Sequence, residues 1–187
     1  MSDLFAGRTW EWSILSPLVG SSMLELGNKV KGDFVFKDFF EGRGFRHISI
    51  DINGLNGALP MDLRKPLNLG TFDMVTNFGT SEHVSEDAWD GQVECWRNIM
   101  EAMHVGSVLV SVTPMPGTNP RHGVWYPHKA FYRELARLNG CEVERLYDSD
   151  ERPNGSPKDH HCNYARLVRR ELVPFEMPTI GMHRNAR

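Results

Sequence analysis

Short apolar runs rich in β-branched residues alternate with stretches whose apolar side chains recur every three or four positions, and this alternation limits the chain to a mostly parallel sheet covered by helices. Ser22-Met23-Leu24-Glu25-Leu26 runs into Gly27-Asn28, the pattern of a buried first strand meeting a loop. Phe34 to Glu41 carries Val35, Phe36, Phe39 and Phe40 on one helical face, and Gly42-Arg43-Gly44 stops it. His47 to Ile52 predicts a second strand with Asp51 at its C-terminal end, turned by Asn53-Gly54. The Ala58 to Leu63 piece reads as an irregular third strand, and Phe72 to Phe78, broken at Gly79, as the fourth.

Ser85 is a candidate N-cap for the clearest helix, in which Trp89, Val93, Trp96, Met100 and Met103 follow helical spacing and Gly106 marks the stop. Val108 to Val112 predicts a fifth strand bounded by Pro114 and Pro116. Phe131, Leu135 and Leu138 line a further helix, ended by Asn139-Gly140. Glu142 to Tyr147 and Asn163 to Arg169 have no helix between them, only the polar loop Asp148 to His161, so they form an antiparallel hairpin at the sheet edge. The expected fold is α/β: a Rossmann-like three-layer sandwich with a mostly parallel seven-stranded sheet and an antiparallel C-terminal hairpin strand.

At 187 residues the chain is the size of one domain and can bury roughly 70% of the surface its unfolded form exposes. We expect a single domain over 1–187, with 1–21 as an N-terminal helix or lid and 171–187 as an extended tail. Trp10, Glu11 and Trp12 suit either a lid or a helix buried on the sheet. The formal net charge of −3, from 21 Lys+Arg against 24 Asp+Glu, supplies no positive field for nucleic acid, and Arg166, Arg169 and Arg170 read as a solvated face. Cys95, Cys141 and Cys162 are widely spaced, which suggests free thiols and a cytoplasmic setting. No apolar run approaches the roughly 18 residues of a membrane span, so no membrane partner is expected.

The ordered landmarks resemble the class I S-adenosylmethionine-dependent methyltransferases, from about Ser22 to Arg170. Leu24-Glu25-Leu26-Gly27, with Asn28 beyond it, looks like the family's first motif. Asp51, followed by Ile52, sits where its acidic ribose-binding residue ends the second strand, and Met61-Asp62-Leu63 looks like the segment beside the adenine. Phe72 to Phe78 looks like the fourth-strand motif, continuing into Gly79, and Met103 to Ser107 like the turn before the fifth strand. The resemblance implies S-adenosyl-L-methionine as cofactor, held by Glu25, Gly27, Asn28, Asp51, Ile52, Asp62, Leu63, Asn77, Phe78 and Gly79. A carboxylate such as Asp51 can accept from both ribose hydroxyls, a glycine allows close backbone approach, and Lys29 can pair with the methionine carboxylate. A nicotinamide dehydrogenase is disfavoured because no GxGxxG opens the first helix.

Methyl transfer asks the protein to orient a nucleophile, exclude water and, for a hydroxyl or ammonium acceptor, remove a proton. His83, with Glu82 to orient or charge it, is the candidate base after the fourth strand; the plainer role for both is to cap the next helix or bond loop backbone. His122, Tyr126 and His128 follow the fifth strand, where family members place substrate-contacting loops, although Trp125 and Tyr126 also suit packing and His128 a helix start. His122, His128, His160, His161 and Cys162 match no known ligand spacing, and adjacent His160 and His161 point to opposite strand faces, so no metal is expected. Amino-methyltransferases of nucleic acid bases carry two prolines after the fourth strand, and Asn77-Phe78-Gly79-Thr80 has neither. The resemblance thus implies methyl transfer to a small molecule, sugar or peptide-like acceptor. A catalytically silent cofactor-binding subunit and a cofactor-cleaving lyase or hydrolase are the alternatives on this scaffold, and a homodimer stays open.

Overall fold

The computed structural model describes residues 18, 21–28, 30–31, 34–84, 88–117, 122–148 and 162–184. Trp10, Glu11, Trp12, Lys29, Ser85, His160 and His161 lie outside the described residues. Among the described residues, β1 (Ser22–Leu26) is followed by the short antiparallel pair β2 (Val30–Lys31) and β3 (Phe34–Val35), helix α1 (Phe36–Glu41), β4 (Arg46–Asp51) and β5 (Leu59–Pro60). Next come β6 (Phe72–Phe78), a 3-10 turn at Ser81–His83, α2 (Trp89–Glu101) and β7 (Met103–Pro114). The chain continues through β8 (Trp125–Pro127), α3 (Lys129–Leu138), β9 (Cys141–Asp148), β10 (Cys162–Arg169) and β11 (Met182–Arg184).

Seven of these strands form one sheet in the order β5-β4-β1-β6-β7-β10-β9. The first five run parallel, and β10 is antiparallel to both β7 and β9, so the expected C-terminal hairpin is present with β10 inside the sheet and β9 at its edge. Register follows the pleat: Leu24 pairs with Ile48 and Val75, and Glu25 with Ser49 and Thr76. Successive residues therefore face opposite layers. Leu24, Leu26, Val75 and Leu109 pack with Trp96 and Ile99 of α2 and Phe131 and Leu135 of α3. Met23, Met74, Phe78 and Val108 pack with Phe36 and Phe40 of α1.

Three local differences from the sequence expectation have physical causes. The first helix is shorter than the run from Phe34, because Phe34 and Val35 pair with β2. Gly106 does not separate helix from strand; it sits at φ +94 inside β7, where the β6 register shifts between Phe72 and Met74. Ser107 Oγ bridges the irregularity, donating to Phe72 O at 2.6 Å and accepting from His104 N at 2.9 Å. The tail after Arg170 docks on its own chain: β11 pairs antiparallel with β8, and Asn139 bonds Glu176 backbone in both directions. Among the described residues no helix is long and apolar enough to cross a membrane.

Candidate functional site

A cavity of about 850 Å³ opens at the C-terminal edge of β1, β4 and β6, where a parallel doubly wound sheet places its ligands. Gly27, Asn28, Asp51, Ile52, Asp62, Leu63, Gly79 and His83 all line it. The sequence reading thus converges on one place from four separate segments. Gly27 adopts φ +72, and a side chain there would run into Thr80 Oγ1, whose hydroxyl donates to Leu26 O at 2.7 Å. The next residue, Asn28, crosses to the neighbouring loop, its Nδ2 donating to Leu55 O at 2.7 Å.

The two aspartates differ in what they have left to offer. Asp51 Oδ2 accepts from Asn28 N at 3.1 Å and Oδ1 from Asn53 N at 3.0 Å, so two of a carboxylate's roughly four acceptor positions remain. Asp62 is more heavily engaged, all by Arg64: Oδ1 accepts from Arg64 N at 2.9 Å, Oδ2 from Nη2 at 2.7 Å, and the single Nε hydrogen is shared between Oδ1 at 2.9 Å and Oδ2 at 3.0 Å. The side-chain hydrogen bonds from Arg64 hold the Asp62 pKa down at about 2. An adenine amino group approaching Asp62 would compete with Arg64 for its oxygens.

Several expected residues are not brought to the cavity. Glu25 is fully buried on the α1 face of the sheet, 3.0 Å from His47 Nε2, itself stacked on Phe40. Phe78 packs on that same face with Phe36 and Phe40. Asn77 is buried beneath the site and holds the 3-10 turn: its Nδ2 donates to Ser81 Oγ at 2.8 Å and Ser111 Oγ at 3.1 Å, and Oδ1 accepts from Ser81 N. Tyr126 is fully buried in β8 and so has no face open to a substrate. His128 caps α3, its Nδ1 accepting from Ala130 N at 3.3 Å.

The 3-10 turn that carries His83 is held from below. Gln92 Nε2 donates to Ser81 O and Val84 O, both at 2.7 Å, and Gln92 Oε1 accepts from Trp96 Nε1 at 3.3 Å. Burial pushes the Tyr132 hydroxyl's pKa up, keeping it protonated between Ser111 Oγ at 2.8 Å and Thr113 Oγ1 at 2.9 Å. His122 lies across the turn, its ring 4.7 Å from that of His83 and its Nε2 3.9 Å from Glu82 Oε1. Sequence reasoning missed Thr80, Arg64 and Asn56 as lining residues. Of these only Asn56 had a local signal, in the Asn-rich turn that follows Asp51, where it adopts φ +51.

No protein-family model and no curated protein sequence matches the chain. Solved structures do. A Burkholderia thailandensis 1,6-didemethyltoxoflavin-N1-methyltransferase, with bound 1,6-didemethyltoxoflavin and S-adenosylhomocysteine, aligns over 91% of this chain and 80% of its own, with TM-score 0.61 and 13% identity. The N-methyltransferase NodS of Bradyrhizobium japonicum, in complex with S-adenosylhomocysteine, covers 90% of this chain and 88% of its own at TM-score 0.59 and 13% identity. A TehB-like methyltransferase of Corynebacterium glutamicum covers 90% and 100% at TM-score 0.54 and 16% identity. At these identities the likeness speaks for architecture, and the architecture of this chain is that of the class I S-adenosylmethionine-dependent methyltransferases.

Proposed function

We propose that the chain is an S-adenosylmethionine-dependent methyltransferase whose acceptor is a small molecule, a sugar or a peptide-like group. The observation that carries this reading is Asp51, which lines the cavity at the end of β4 with two acceptor positions to spare beside a glycine held at positive φ. That pair suits a ribose with two neighbouring hydroxyls, and Ile52, Leu55, Met61 and Leu63 supply apolar wall for a purine. When bound, the cofactor supplies a sulfonium methyl. His83 stands at the Thr80–Val84 side of the cavity, where an imidazole suits proton removal from an acceptor, with the buried Glu82 carboxylate behind it at 3.8 Å from its Nε2, and Asp51, Gly27 and Asn28 would hold the cofactor.

A cavity of this size suits a drug-sized ligand, and the relative from Burkholderia thailandensis holds a small acceptor beside S-adenosylhomocysteine, which supports the acceptor class. Three free thiols support a reducing, cytoplasmic setting. Titration calorimetry with S-adenosylhomocysteine tests the reading. Binding to the wild type, weakened in Asp51→Ala by about 1.5–3 kcal/mol, is the expected result. No heat at millimolar ligand would refute it.

A further inference from the structure

Glu82, His83 and His122 bring one carboxylate and two imidazoles together outside any recognised ligand motif. Their ligand atoms all lie within 4.8 Å of one another, with Glu82 Oε1 3.8 Å from His83 Nε2 and 3.9 Å from His122 Nε2. Three ligands on a tetrahedral ion with bonds of about 2.1 Å stand roughly 3.4 Å apart, so each pair that Glu82 makes needs to close by only about half an ångström. The grouping is built by the backbone. Val124 N donates to Glu82 O at 2.8 Å, tying the chain beyond His122 to the 3-10 turn. Gly123, at φ +70, has no room for a side chain: a Cβ would stand 2.7 Å from Glu82 Cγ and 3.0 Å from Glu82 O. Glu82 is fully buried, whereas the His83 and His122 side chains are 43% and 52% exposed.

We propose that these three residues form a binding site for a first-row divalent cation of Zn²⁺ character at the rim of the cavity. Two neutral imidazoles and one carboxylate select borderline metals such as Zn²⁺ or Co²⁺ over Mg²⁺, which demands an oxygen shell. Three protein ligands leave at least one coordination position for water or another ligand, as in catalytic rather than structural zinc sites. Because His83 lines the cavity, a cation there sits at its edge, with His83 as a ligand in place of its role as candidate base. The assignment of the cation site does not depend on the methyl-transfer reading.

The test uses the full chain, stripped with a chelator and titrated with Zn²⁺ against a chromophoric competitor, with Co²⁺ as a spectroscopic probe and Mg²⁺ as control, all without any S-adenosyl ligand. One equivalent of Co²⁺ should bind with visible d–d bands, Zn²⁺ should displace it, and Zn²⁺ should raise the melting temperature. His122→Ala should weaken binding at least about tenfold, His83→Ala/His122→Ala should abolish the bands, and His104→Ala should leave them unchanged. The variants' melting temperatures without metal should match the wild type, since both histidines are half exposed. Equal binding by the double variant, equal affinity for Mg²⁺, or no bound equivalent would each overturn the proposal. Since no cofactor is present, its outcome is separate from that of the S-adenosylhomocysteine calorimetry.

Discussion

Alanine at position 27 probes the turn on which the cavity is built. With φ +72, an L-residue there carries a backbone penalty of about 1–2 kcal/mol. The new methyl would also collide with Thr80 Oγ1 and come within 3.1 Å of Thr80 Cγ2, so Thr80 must rotate and release its 2.7 Å bond to Leu26 O. That loss adds about 1 kcal/mol, for a total of about 2–3 kcal/mol, or a fall in Tm of about 4–12 °C for a domain of this size. Urea unfolding of Gly27→Ala, Thr80→Ala and the double variant separates the two contributions. Thr80→Ala alone should cost about 1 kcal/mol, and in that background Gly27→Ala should cost about 1 kcal/mol less than in the wild type, the signature of coupled neighbours. An identical loss from Gly27→Ala in both backgrounds would refute the reasoning, because the Thr80 contact would then contribute nothing.

Carbon-detected NMR titration should find Asp62 ionising near pH 2 in the wild type and clearly higher, toward its ordinary 3.8, in Arg64→Gln, which keeps only the backbone bond from residue 64. Since the folded value is depressed, the Arg64 bond supports the fold above about pH 4 and is lost as pH falls toward 2, so acid unfolding of Arg64→Gln should be less steep in that window. Gln92→Ala removes two buried donors from Ser81 O and Val84 O and should destabilise by about 2–3 kcal/mol in chemical denaturation. Asn139→Ala should cost a similar amount, about 2–3 kcal/mol, and accelerate amide exchange selectively between Glu176 and Arg184, which hydrogen-exchange mass spectrometry would read.

Strand ends were the legible part of the site. In a parallel sheet every strand leaves its C-terminal edge on the same side, so Gly27, Asp51 and Gly79, found separately by their loop signals, had to meet. Glu25 was not legible in this way. The pleat gives it the face opposite Leu24 and Leu26, but nothing within β1 says that this face meets α1 and His47. Tyr126 and His128 follow the same logic: an aromatic among polar residues suits a substrate loop or a strand equally. Tyr126 is buried by tertiary packing around β8, which pairs with the distant β11 and whose Pro127 O accepts from Asn163, and local spacing encodes neither. The approach of His122 to Glu82 likewise needed the chain's return after β7, which local spacing does not encode.

The pairing of β11 with β8 also joins segments made far apart in time. His128 N donates to Gly181 O at 2.6 Å, and Gly181 sits against the Phe131 backbone with no space for a side chain. During synthesis, the segment that carries His122 has left the ribosome long before Met182–Arg184 can clasp β8. In that interval the Trp125–Pro127 backbone lacks the hydrogen-bond partners that β11 later supplies, the kind of unpaired segment that is exposed to mispairing until the chain is finished.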